Sequence, residues 1–149
     1  MQSYKHILVA VDGSPISNRA LKEAITLAQE LQAELRVINV IDEFAFSLDT
    51  EYPNMEATLA YIHEAGKRIL EAATKEAQDV GVKVESKLLD IETPGMRVGE
   101  LIAQEATASN ADLIVMGTHG RRGFSRLFLG SVAETVVRVA TPPVLLVRE

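Results

Sequence analysis

The sequence predicts an α/β fold, a single-domain three-layer α/β/α arrangement around a five-stranded parallel sheet. Three observations carry this expectation. Five short apolar runs alternate with segments of helical periodicity, the order that builds strand–helix–strand units. Most of these runs are continuously apolar, as strands covered on both faces are. A length of 149 residues suits one domain with a substantial core, and no linker, repeat or low-complexity tract divides it.

The first strand is read in HILVAVD (6–12), nearly continuous in its apolar character. After Asp12 and Gly13, Ser14 is placed to cap a helix with Pro15 at its first position, where a missing N–H costs nothing. Apolar residues then recur at Ala20, Leu21, Ala24, Ile25, Ala28 and Leu31, a stripe of helical period. ELRVINVID (34–42) is the second strand. The acidic, aromatic stretch 42–55 reads as a connecting loop, with a lid or a partner surface as alternatives. A second helix is expected over 55–80, stopped by Gly81 and burying Leu59, Ile62, Ile69, Leu70, Ala73 and Ala77. VKVESKLLD (82–90) alternates more and so belongs near a sheet edge. A third helix uses Val98, Leu101, Ile102 and Ala106. ADLIVMG (111–117) is the fourth strand. A fourth helix starts near Ser131 and stops at Thr141, Pro142 and Pro143. PVLLVRE (143–149) is the last strand.

Composition narrows the function. No apolar run approaches the roughly 18 residues a membrane span needs, and the first residues lack the pattern of a signal peptide. Cysteine is absent, which removes disulfides, thiolate metal sites and thiol nucleophiles and fits the cytoplasm. The net charge of -6 disfavours broad binding of nucleic acid or anionic lipid, so neither is an expected partner. Any bound anion needs a local positive site.

One stretch offers such a site. GTHGRRGFSRLFLGS (117–131) holds three arginines, four glycines and no acid. In open parallel sheets ligands sit beyond the carboxyl ends of the strands, where strand order reverses. If the first and fourth strands are neighbours, Asp12 faces Gly117 and the loop opens over that crevice. Gly117, Gly120 and Gly123 allow close approach to an anion. Gly130 and Ser131 open a helix whose free N–H groups and dipole favour phosphate. The stretch is neither a P-loop nor a dinucleotide fingerprint; its spacing is G-x2-G-x9-G-S, on Gly117, Gly120, Gly130 and Ser131.

That spacing, after a strand and before a helix and a final apolar strand, resembles the ATP-binding signature of the universal stress protein family. ILVAVDGSPISNRALKEAITLA, LRVINVID and the whole of 111–149 are similar to the same family, so the likeness spans the chain. It implies a Rossmann-like sheet of the adenine-nucleotide alpha hydrolase type, in the order 3-2-1-4-5. It also implies adenine held by backbone at Val40, with Ala10, Val11 and Asp12 lining base, ribose and phosphates. Met116, Gly117, Gly120, Gly130, Ser131 and Val132 would wrap ribose and phosphates. The cofactor implied is ATP, with Mg²⁺ or Mn²⁺ held through the phosphates.

Plainer readings stand beside these. Ser131 and Glu134 form S-x-x-E, a capping box needing no ligand. Asp12 serves equally as a helix cap. The three arginines make sense as a solvated face, with Arg121 alone the expected phosphate contact. His119 reads as a loop residue, and His6 and His63 show no metal-ligand spacing. The last strand, Val144 to Val147, presents an apolar edge that a second copy would cover, and the resemblance implies the same homodimer. The leading functional expectation is a nucleotide-dependent stress-response or signalling module. A slow ATP hydrolase or phosphotransferase, or a scaffold that ignores nucleotide, are the alternatives; no catalytic base is apparent.

Overall fold

A computed structural model of the chain describes residues 4–47, 55–119 and 129–149. Its elements run β1 (His6–Ala10), α1 (Pro15–Leu31), β2 (Glu34–Ile41), α2 (Glu43–Ser47), α3 (Met55–Asp79), β3 (Val84–Asp90), α4 (Val98–Ala108), β4 (Leu113–Gly117), α5 (Ser131–Val139) and β5 (Val144–Val147). The strands form one sheet in the order β3-β2-β1-β4-β5, and each neighbouring pair is parallel. This is the predicted fold and strand order. No helix among the described residues is long and apolar enough to cross a membrane.

Successive side chains of a strand point to opposite faces, which divides the core in two. On one face Ile7, Val9, Leu35, Val37, Leu113 and Val115 pack against Ala20, Ala24 and Ala28 of α1 and Leu70, Ala73 and Ala77 of α3. On the other, Leu8, Ile38, Ile114 and Met116 meet Ile102 and Ala106 of α4 and Ala133 and Val136 of α5. The central strands β1 and β4 are therefore largely apolar, while β3, an edge strand, keeps three consecutive exposed residues.

The helix boundaries follow local chemistry. Ser14 caps α1, its hydroxyl accepting from the Ser17 N–H, with Pro15 as the first helical residue. Gly81 takes a φ of +81° just past α3, as the sequence requires of it. Two expectations change. The stretch 42–55, read as a loop, contains the short helix α2, because the Asp42 carboxylate accepts from the N–H groups of Phe44 and Ala45 and starts a turn. Leu59, Ile62 and Ile69 of α3 are only half-buried, and the deep contact on that helix is made by Gly66 with Leu70, Ala73 and Ala77.

Gly66 and Gly99 are close-approach points. A Cβ on Gly66 would lie 2.7 Å from Asn39 Oδ1 and 2.8 Å from Leu88 Cδ1, so α3 rests directly on β2 and β3. A Cβ on Gly99 would lie 2.6 Å from Thr135 Cβ, so α4 and α5 touch there.

Candidate functional site

Most of the positions expected to bind ligand fall along one edge of the sheet. Ala10 ends β1, with Val11 and Asp12 beyond it; Val40 lies near the end of β2; Met116 and Gly117 end β4. Gly130 precedes α5, and Ser131 and Val132 begin it. β1 and β4 are neighbours, with Val9 beside Val115, so the carboxyl ends of the first and fourth strands adjoin as expected. Gly120 and Arg121, with Arg122, Gly123 and Arg126, lie outside the described residues.

The turn after β1 is held by its own polar groups. The Asp12 N–H donates to Ser17 Oγ at 3.1 Å, and the Ser14 N–H donates to Asp12 Oδ1 at 2.9 Å. Asp12 thus supports the entry to α1, while Ser14 is the cap. Asn39, buried on β2, donates from Nδ2 to the Val11 carbonyl at 2.8 Å. Sequence reading passed over this asparagine; its signal is an uncharged polar residue inside the otherwise apolar VINVI.

The exit from β4 and the entry to α5 are bonded together. The Thr118 N–H donates to the Val147 carbonyl at 3.0 Å, and the Gly130 N–H donates to the Thr118 carbonyl at 2.8 Å. The chain therefore leaves the sheet and returns to the same place. Both glycines are tightly packed, and at Gly130 the obstacle to a side chain is backbone. A Cβ on Gly117 would lie 3.1 Å from the His119 carbonyl oxygen and 3.1 Å from Ile16 Cγ1, and one on Gly130 would lie 2.8 Å from the Thr118 carbonyl oxygen.

The capping box is not formed. Gly130 is the N-cap of α5, without a side-chain cap bond, and Glu134 pairs with Arg138 at 3.2 Å instead. Glycine has no side chain to bond the first-turn N–H groups, and such groups suit a phosphate. His119 stands with its Nδ1 3.1 Å from Thr118 Oγ1, next to the glycine stretch.

A second polar group lies at the carboxyl ends of β2 and β3. His63 on α3 has Nε2 2.7 Å from Asp90 Oδ1 and 3.5 Å from Glu43 Oε1, and Nδ1 2.7 Å from the Leu59 carbonyl. Its pKa is raised above the ordinary histidine value. The Leu59 bond is the largest cause and the two carboxylates add to it, against partial burial. His63 has no metal-ligand spacing along the chain, yet the fold places it within reach of two carboxylates. Nothing in linear spacing signals this, because the three residues come from three elements.

Comparison with known proteins agrees with the architecture. Residues 3–148 match the model of the universal stress protein family. A universal stress protein of Methanocaldococcus jannaschii is 38% identical over 146 residues, which cover 98% of this chain and 83% of that one. The crystal structure of a family protein from Burkholderia pseudomallei superposes with a TM-score of 0.78 at 34% identity, covering 96% of this chain and 95% of the other. The universal stress protein of Archaeoglobus fulgidus, solved in complex with dAMP, gives a TM-score of 0.67 at 25% identity, covering 97% and 98%. With the strand order and a match over almost its whole length, the chain belongs to the universal stress protein family.

Proposed function

We propose that this protein binds ATP at the carboxyl edge of its sheet and acts as a nucleotide-dependent stress-response or signalling module. The observation that carries the reading is the junction of β4 and α5. Gly130, where a Cβ would meet backbone, and the tightly packed Gly117 bound it, and the helix start carries no side-chain cap. Backbone N–H groups at such a start bind phosphate without a dedicated side chain.

In this reading the backbone at Val40 meets adenine, and Ala10, Val11 and Asp12 line base, ribose and phosphates. Met116, Gly117, Gly120, Gly130, Ser131 and Val132 wrap ribose and phosphates, and Arg121 adds positive charge. The dAMP complex of the Archaeoglobus fulgidus relative supports an adenine nucleotide as the ligand class. A Mg²⁺ or Mn²⁺ ion carried by the phosphates would offset their charge, and the Asp12 carboxylate, at the mouth of the crevice, suits a cation there. Composition without cysteine agrees with a reducing cytoplasm. The same reading includes a homodimer through Val144 to Val147, supported by the place of β5 at the sheet edge and by the exposed apolar side chain of Leu145 on it.

Nucleotide-stripped protein is melted with ATP, AMP, cyclic AMP and GTP, with and without Mg²⁺. A ligand at 100 times its Kd adds roughly 2.7 kcal/mol, so ATP is expected to raise the melting temperature by several degrees. Gly117→Val, whose larger side chain meets Ile16 and the His119 carbonyl, is expected to abolish the shift while remaining folded. Absence of a saturable shift with any of the four nucleotides overturns the reading.

A further inference from the structure

Glu43, His63 and Asp90 stand apart from the proposed phosphate end of the nucleotide site. β3 lies three strand spacings from β4 in the sheet, on the order of 14 Å, so a cation held by phosphates near Gly117 and Gly130 is a different ion. Each of the three side chains comes from a separate element: Glu43 opens α2 directly after β2, His63 projects from α3, and Asp90 ends β3.

The hydrogen bonds of His63 define what occupies the space between them. The Leu59 carbonyl, 2.7 Å from Nδ1, only accepts, so Nδ1 carries a proton. Nε2 then points at two further acceptors, Asp90 Oδ1 at 2.7 Å and Glu43 Oε1 at 3.5 Å. A lone pair on Nε2 facing two carboxylates is repulsive unless a positive species stands between them. That species is a proton or a metal ion. Among the described residues neither carboxylate pairs with a lysine or arginine, and His63 is the cation that each of them meets. Even an imidazolium leaves the group with a net negative charge.

We propose that Glu43, His63 and Asp90 form a site for a divalent transition-metal ion of the zinc class, bound by one imidazole nitrogen and two carboxylate oxygens. The three ligand atoms lie within 4.8 Å of one another. Ligands about 2.0–2.2 Å from a tetrahedral Zn²⁺ sit roughly 3.3 Å apart, so the Asp90 contact opens slightly and the Glu43 contact closes slightly. A mixed nitrogen and oxygen set suits Zn²⁺ or Co²⁺, whereas Mg²⁺ and Ca²⁺ select oxygen throughout. The ion replaces the Nε2 proton, which is released to solvent. The Leu59 carbonyl keeps the Nδ1 proton in place and so holds the ring in the ligating tautomer, as outer partners of metal-bound histidines do. Half-burial of all three side chains leaves the fourth position open to water. Ligation ties α2 to α3 and β3, which gives metal binding a structural consequence at the adenine-side end of the sheet.

The test uses the full chain, stripped of nucleotide and metal by chelation and gel filtration. Zn²⁺ is titrated by calorimetry and Co²⁺ by visible absorption. One ion per chain is expected, with a Kd below about 10 μM and cobalt bands of low coordination number. His63→Gln and Glu43→Gln are each expected to weaken binding by at least about tenfold. Glu43 is a partly exposed residue at a helix start, so its variant keeps the fold even if His63→Gln does not. His6→Gln is the control for the other described imidazole near a carboxylate, Glu34 at 3.8 Å, and leaves binding unchanged. Equal binding by the wild type and Glu43→Gln, or no saturable binding of either ion, overturns the site. The proposal does not rest on the nucleotide reading: Gly117→Val is expected to lose the ATP response and retain the metal.

Discussion

Gly130 combines three demands in one residue. Its N–H closes a bond to the Thr118 carbonyl, its backbone caps α5, and the space where a Cβ would stand is filled by that same carbonyl oxygen at 2.8 Å. The obstacle is backbone, so it yields only if the strand end or the helix start moves. Gly130→Ala is therefore expected to destabilise the protein by about 1–3 kcal/mol, the usual range for overpacking. It is also expected to weaken ATP more than a remote substitution of equal stability cost, because the displaced atoms are the proposed phosphate donors. Chemical denaturation with and without ATP separates the two effects. At this scale the sequence was legible where a residue's role is local. Ser14, Pro15 and Gly81 act through their own backbone neighbourhood, and each stands where composition alone placed it.

Elements meet through residues the periodic pattern ranks low. On α4, Glu105 is buried and pairs with Arg36 of β2 and Lys87 of β3, each at 3.3 Å. A charged residue on the buried side breaks the apolar stripe, and sequence reading built that helix from Val98, Leu101, Ile102 and Ala106 instead. Breaking a fully buried pair costs about 3–5 kcal/mol. Here Arg36 keeps Glu85 at 3.0 Å and the Lys87 side chain is half exposed, so the penalty is smaller. Glu105→Ala is expected to cost about 1–2 kcal/mol, measured by urea unfolding, with the Arg36→Ala double mutant recovering part of it. A loss below a few tenths of a kcal/mol would show that the network is screened by water.

At the scale of the molecule the two sheet edges differ. β3 is an edge strand with polar, exposed side chains, whereas β5, the opposite edge, presents Leu145 at 37% exposure. An apolar edge of this kind favours pairing with another strand, and an antiparallel copy of itself satisfies two-fold symmetry. Leu145→Lys is expected to shift the protein from dimer to folded monomer in sedimentation at micromolar concentration, with the helical circular dichroism unchanged. A wild-type chain that already sediments as a monomer contradicts the dimer. The same edge position explains why β3 read correctly as the wetter strand: Glu85, Ser86 and Lys87 are exposed.

The sequence by itself determined the five strands, the four longer helices and the glycine-marked junction of β4 with α5. Apolar period reports backbone geometry and facing within an element, and the glycine spacing spans one strand end and the next helix start, so both are written in contiguous residues. Tertiary structure alone decided which polar groups meet. Asp90 falls beside Ile41 in the register of β3 on β2, and α3, seated by Gly66, brings His63 to it across 27 residues of sequence. A slip of one residue would turn Asp90 to the other face of the sheet and dissolve the cluster. Such register is set by the packing of whole elements against one another, which no local pattern in the chain records.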